Sequence, residues 1–216
     1  MRKSEKLEEL KKRMQNDKDL PLRNGATQLV FGVGDPDSEM LFIGEAPGYW
    51  EDQKGEPFVG NAGALLNRLL ASIGIERRDV YITNVIHFRP PENRDPEPGE
   101  LSAYRPYLDE IIDIIQPSLI VTLGRFSMAK FIPGVFISSV HGKSKVVDWK
   151  GRKIVVLPMY HPAAALRSGD VKFKLANDFK AIPDIISNLD KILNRESDNI
   201  NDKVTNENKS EQMELI

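Results

Sequence analysis

The chain has 216 residues, 40% of them hydrophobic, with a formal net charge of -2 and no cysteine. That length can bury one real core, and the lack of cysteine excludes disulfides, thiolate zinc sites and cysteine-held clusters. No apolar run reaches membrane-spanning length, and the charged start Met1-Arg2-Lys3-Ser4-Glu5-Lys6 leads into no signal core, so a cytoplasmic protein with no membrane contact is expected. The three histidines, His87, His141 and His161, show no metal-ligand spacing. After Leu193 six acids face three bases, so the tail carries -3 and the rest +1. A near-neutral body can still carry a local basic face, so net charge neither supports nor excludes nucleic acid.

Leu7, Leu10 and Met14 share one face of a charged helix over residues 1–16. Residues 17–28 read as loop. Val30-Phe31-Gly32 and Met40-Leu41-Phe42-Ile43 read as strands around the turn Gly34-Asp35-Pro36-Asp37. Asn61 is placed to cap a helix bearing Leu65, Leu66, Leu69, Leu70 and Ile73, ending near Gly74. Val80-Tyr81-Ile82-Thr83 is a further buried strand. The rigid loop Arg89-Pro90-Pro91-Glu92-Asn93-Arg94-Asp95-Pro96 follows, then a helix with Leu108, Ile111, Ile112 and Ile115 and with Pro106 expected in its first turn. Leu119-Ile120-Val121-Thr122-Leu123 and Ile154-Val155-Val156-Leu157-Pro158 complete four buried strands. A last helix is expected from Val171 to Leu193, and residues 194–216 form an acidic tail expected to be disordered. Fully apolar strands alternating with helices imply an α/β fold in which a mostly parallel four-stranded sheet is covered on both faces. Residues 17–193 then form one domain, with loops after Gly44, Asn84, Gly124 and His161 on one rim, where ligands of such sheets bind.

Gly44-Glu45-Ala46-Pro47-Gly48 is a rigid turn whose backbone can approach a ligand closely. Glu51, Asp52 and Pro57-Phe58-Val59-Gly60 follow, so acids, an aromatic ring and bare backbone meet at one strand mouth, as a pocket for a flat polar ring requires. The amide of Asn84 can accept from a uracil N3–H and donate to its O4, whereas cytosine reverses both. A buried site that loses such partners discriminates by roughly 10⁴–10⁵; the plain alternative is an asparagine capping the next turn. After the fourth strand, His161 in His161-Pro162-Ala163-Ala164-Ala165-Leu166-Arg167 could donate to an oxygen that gains negative charge. Leu166 could wedge into a base stack and Arg167 could hold a phosphate. The alternative is an ordinary His-Pro turn.

Taken together and in order, these segments from about residue 20 to 190 resemble the uracil-DNA glycosylase superfamily, and most closely its family 4, the iron–sulfur type. The resemblance implies a three-layer α/β/α fold and a monofunctional enzyme that hydrolyses the N-glycosidic bond of an everted uracil in single- or double-stranded DNA. It implies that Gly44, Ala46, Phe58 and Asn84 bind the base, Phe58 by stacking rather than by ordinary core packing. It further implies that His161 stabilises the O2 anion, that Glu45 or Glu51 faces the cation-like sugar, and that Asn93 helps to place the water rather than being a solvated loop residue. Pro162, Ala163, Leu166 and Arg167 fall on the family's DNA-contacting loop. Alanine stands at position 46, as in family 4, where other families of the superfamily carry a catalytic aspartate.

Two departures stand out. The four cluster cysteines of family 4 align with Asp17, Leu20, Phe88 and Tyr104, so no cofactor is expected, and Leu20, Phe88 and Tyr104 are expected to pack together instead. Ala163 replaces the usual serine and leaves only backbone N–H groups for a phosphate. A glycosylase-like DNA-binding module without cleavage, and a nucleoside enzyme on a flavodoxin-like sheet, are the competing readings. Lys143, Lys145, Arg152 and Lys153 suggest either a DNA-facing patch or a solvated hairpin. A monomer is expected, and Gln212-Met213-Glu214-Leu215-Ile216 suggests either a docking motif for a repair or replication partner or a plain terminus.

Overall fold

The computed structural model describes residues 1–194; the rest of the acidic tail lies outside the described residues. The sheet has six strands: β1 (Val33–Gly34), β2 (Met40–Gly44), β3 (Tyr81–Asn84), β4 (Leu119–Leu123), β5 (Lys145–Trp149) and β6 (Arg152–Met159). Their order is β1-β3-β2-β4-β6-β5. The inner four are parallel, and β1 and β5 close the edges antiparallel to β3 and β6. The expectation of four strands therefore holds for the inner sheet and misses both edges. β1 is only two residues long, too short for any periodicity, and β5 is a partly exposed edge strand whose apolar run is interrupted by Lys145 and Asp148. Val30 and Phe31 are buried but not strand: the Val30 N–H donates to the His87 carbonyl (2.9 Å), and the Phe31 carbonyl accepts from the Thr83 hydroxyl (2.6 Å).

The described residues include the α-helices α1 (Lys3–Asn16), α2 (Tyr49–Lys54), α3 (Asn61–Ser72), α4 (Pro98–Ile115), α5 (Arg125–Phe131), α6 (Ile137–Val140), α7 (Pro162–Ala165), α8 (Gly169–Phe179) and α9 (Ile182–Ser187), and residues 189–194 are helical as well. The strands sort their side chains onto two faces by the period-two alternation of the pleat. Leu41, Ile43, Tyr81, Ile120, Ile154 and Val156 pack with α1, α4 and α5. Phe42, Ile82, Leu119, Val121, Val155 and Leu157 pack with α3, α8 and α9. Three layers result, and both faces of the inner strands are dry, which explains why those strands read as unbroken apolar runs.

Local chemistry moved three boundaries. Asn61 is the first helical residue of α3 and makes no cap hydrogen bond; Gly60 holds the cap position. α4 begins eight residues before Pro106, at Pro98, because the Glu97–Glu100 capping box starts it; Pro106 lies inside the helix. The long last helix is broken between Phe179 and Ile182, ahead of Pro183, which lacks the N–H a continuous helix needs.

The N-terminal helix is tied into the body. Leu7, Leu10 and Met14 are buried in the α4-side core, Arg13 pairs with Glu110, and the Lys3 ammonium donates to the Ile115 carbonyl (2.9 Å). The loop after it is clamped to α4 by two phenols: Tyr104 donates to the Pro21 carbonyl (2.5 Å) and Tyr107 to Asp17. Leu20, Phe88 and Tyr104 are all buried in the same apolar cluster. The Arg23 guanidinium lies 5.8 Å from the centroid of the Phe88 ring.

Candidate active site

A cavity of about 550 Å³ opens at the C-terminal ends of β2, β3, β4 and β6. Glu45, Ala46, Glu51, Phe58, Asn84, Asn93, His161, Ala163 and Arg167 line it. Gly44, Pro162 and Leu166, also expected at the site, do not. Gly44 lies directly behind the wall: a Cβ there would come within 2.4 Å of Asn84 Oδ1 and 2.5 Å of the Phe58 ring. Only glycine therefore lets those two groups sit together. Pro162 is buried at the start of α7, and Leu166 is 47% exposed beside Arg167.

Phe58 and His161 stack with ring centroids 5.5 Å apart and planes at 30°. Phe58 is held at φ +54, a left-handed conformation that costs of order 1–3 kcal/mol in a bulky residue and persists only when its surroundings fix it. Those surroundings can be named. The Val59 and Gly60 N–H groups both donate to Glu51 Oε1 at 2.8 Å, the Arg77 guanidinium donates to the Pro57 carbonyl at 2.5 Å, and the Phe58 carbonyl abuts Gly63 of α3. Asn84, the last residue of β3, pairs in register with Gly44. It is 1% exposed, and its Oδ1 has no hydrogen-bond partner. A buried acceptor left unmade costs about 1–3 kcal/mol, so a ligand donor there is worth more than in water.

His161 sits over Gly124, whose φ of +99 and missing side chain leave room for the ring. The Ala163 N–H donates to His161 Nδ1 (3.1 Å). Burial is the main cause that lowers the imidazole pKa to about 4; Arg167 adds to it and Glu51 opposes it. At neutral pH the ring is therefore uncharged. With Nδ1 accepting, its proton lies on Nε2, which makes it a neutral hydrogen-bond donor.

The carboxylates divide by role. Glu51 organises the Phe58 loop through the two N–H bonds already described. Burial raises the pKa of Glu45, Asp95 raises it further, and Arg125 and Arg167 oppose them. Asp52 turns away from the cavity: it is buried and accepts from the Thr27 N–H (2.8 Å) and hydroxyl (2.7 Å), so it anchors the segment before β1 and is no pocket acid. Asn93 is exposed, at φ +53, and its Oδ1 accepts from Arg89 Nε (2.8 Å). Arg94 forks onto Glu100 (2.6 and 2.9 Å), and Arg125 pairs with Asp95. Arg167 has no ion-pair partner among the described residues and lines the cavity.

One reading of the sequence is corrected. The Ala163 N–H is not open to a phosphate because His161 Nδ1 takes it, and the Ala164 and Ala165 N–H groups bond the His161 carbonyl. Of the cations noted around the β5–β6 hairpin, Arg152 and Lys153 begin β6, at the end away from the cavity, and Lys145 pairs with Val156 nearer the rim. Asp95, Arg125, Ile137 and Tyr160 also line the cavity and had no assigned role. Tyr160 and Arg125 directly adjoin His161 and Gly124, and that adjacency was their only signal.

The Uracil DNA glycosylase superfamily is matched over residues 31–182. The chain belongs to this superfamily. It is 47% identical to a type-4 uracil-DNA glycosylase of Sulfurisphaera tokodaii over 186 residues, covering 83% of this chain and 84% of that protein. A type-4 uracil-DNA glycosylase of Archaeoglobus fulgidus is 44% identical over 187 residues, 84% of this chain and 94% of its own length. The type-4 enzyme of Thermotoga maritima is 44% identical over 148 residues, 68% of this chain and 77% of that one.

Proposed function

We infer that this chain is a monofunctional uracil-DNA glycosylase of base excision repair. It hydrolyses the N-glycosidic bond of uracil in DNA and leaves an abasic site. The observation that carries the site assignment is the convergence of Phe58, Asn84 and His161 on one cavity, with the Asn84 acceptor buried and unpaired. An everted uracil stacks on Phe58, its N3–H satisfies Asn84 Oδ1, and its O2 takes the Nε2 proton of His161 as a hydrogen bond. Cytosine offers no donor at N3, so Asn84 would stay unsatisfied and the base is rejected.

As the bond breaks, negative charge gathers on O2 and positive charge on the sugar. The neutral His161 stabilises the first without holding a competing charge in the resting site. Glu45 and Glu51, fixed on the β2 side of the cavity, face the second, and Asn93 on the rim helps to place the water. Eversion costs a few kcal/mol of unstacking. Leu166, exposed beside the unpaired Arg167, fills the vacated stack while Arg167 holds the backbone; Pro162 and Ala163 set the course of that loop.

The four-cysteine cluster implied by the family 4 resemblance does not fit this chain, which has no cysteine. At the aligned positions Leu20, Phe88 and Tyr104 are buried together and Asp17 accepts from Tyr107. We assign the stapling role to this aromatic clamp, and no catalytic step passes through a cofactor. The test is uracil release from single- and double-stranded oligonucleotides without added metal, with Asn84→Ala and His161→Ala alongside. Release by the wild type and its loss in both variants is expected. An inactive wild type, or activity indifferent to both substitutions, overturns the reading.

A further inference from the structure

The described residues expose seven large hydrophobic side chains: Met1, Tyr49, Trp50, Val135, Phe136, Leu166 and Phe173. Five of these seven lie within two residues of a cavity-lining residue, so the exposed apolar surface gathers around the mouth. Leu166 is already given a role. Tyr49 and Trp50 are not, although they stand between Gly48 and Glu51, which both line the cavity. They are 50% and 56% exposed, at the first turn of α2. Their rings meet edge to face, 5.2 Å apart at 79°. The Arg89 guanidinium lies 5.3 Å from the centroid of Tyr49, held there by its bond to Asn93. Trp50 rests against Gly60, in the loop that Glu51 fixes.

Half-exposed aromatic rings on a rigid turn, with a cation beside them, are what single-strand binders use. Ring faces take unpaired bases of any sequence, and the cation meets the backbone. Paired bases in a duplex have their faces already covered. Building on the glycosylase reading, we propose that Tyr49, Trp50 and Arg89 form a stacking subsite for an unpaired nucleobase next to the everted one. This subsite gives the chain a preference for single-stranded DNA.

The test uses the full chain and a thymine-only single strand of about 15 nucleotides, with its duplex as the comparison. Trp50 is one of two tryptophans; the other, Trp149, lies on β5, paired with the start of β6 and so away from the cavity. Adding the single strand is expected to quench the tryptophan emission, and Trp50→Phe to remove that quenching. Tyr49→Ala with Trp50→Ala should weaken single-strand binding by about 5- to 150-fold and duplex binding by less than about twofold. Tyr49→Phe with Trp50→Phe, which keeps two ring faces, should retain most of the affinity; this separates lost stacking from a damaged fold.

Equal weakening on both DNA forms overturns the proposal, as does unchanged binding in the alanine pair. A change in the oligomeric state of the free chain on removing the two rings also overturns it, because the surface would then be a self-contact. Uracil release is measured separately. A chain that binds the thymine strand through Trp50 but releases no uracil refutes the catalytic reading and leaves this subsite standing.

Discussion

The rim of the cavity and the clamp on α4 are built to opposite rules. At the rim Phe58, Glu92 and Asn93 sit at positive φ, Asn84 keeps a buried acceptor unpaired, and His161 is stripped of its charge. At the clamp each phenol has found its acceptor, Tyr104 on Pro21 and Tyr107 on Asp17, and the apolar side chains are buried in one cluster. Strain and unmet hydrogen bonding persist only where a surrounding structure imposes them. The rim thus gives up stability for a poised geometry, and the clamp ties the loop after α1 to α4 without chemistry of its own.

Substitutions can break this contrast, and the largest effects belong at the rim. His161→Ala and Asn84→Ala should each lower kcat by about 10²–10³ while the thermal midpoint stays close to wild type, in the range found for loss of one preorganised donor. Steady-state uracil release beside thermal unfolding checks both halves; a large fall in stability with intact activity would reverse the assignment. Gly63→Ala joins the two measures, because its Cβ would lie 1.8 Å from the Phe58 carbonyl, a backbone atom that cannot step aside. We expect a cost of about 3 kcal/mol or more in denaturant unfolding, together with lost activity as the Phe58 loop is displaced.

The clamp should behave otherwise. Tyr104→Phe leaves the Pro21 carbonyl without its donor and should cost about 1–3 kcal/mol with kcat unchanged. A fall in kcat comparable to that of the rim variants would show that the two regions are not separable.

The smallest effect is a pH slope. Burial holds His161 at about 4 and His87 at about 3, both below their ordinary 6.5. Between those values and 6.5 the unfolded chain binds protons that the fold refuses. The stability these rings allow is therefore full above pH 6.5 and falls as the pH drops toward 3. Thermal midpoints taken from pH 7 down to 4 should decline, and His161→Gln should flatten part of that decline.

The sequence made the inner sheet legible because four dry strands must be apolar throughout. The edges were not, since β1 is two residues long and the short β5 has two charges that break its apolar run without any period-two pattern. Phe58, Asn84 and His161 could be picked out because each carries chemistry that a base needs, on loops the topology brings to one rim. Asp52 could not be separated from Glu51 by type or spacing; its partner, Thr27, lies 25 residues earlier and only folding brings it near. Nor could the fate of the Ala163 N–H be read, because that bond depends on the angle at which α7 leaves β6.

That bond reaches further than one turn. Position 163 meets the imidazole through its main chain alone, so a side chain can be exchanged there without altering which ring nitrogen carries hydrogen. Under the proposed function, variation at this site is free to retune contacts with a DNA strand while the imidazole proton stays on Nε2.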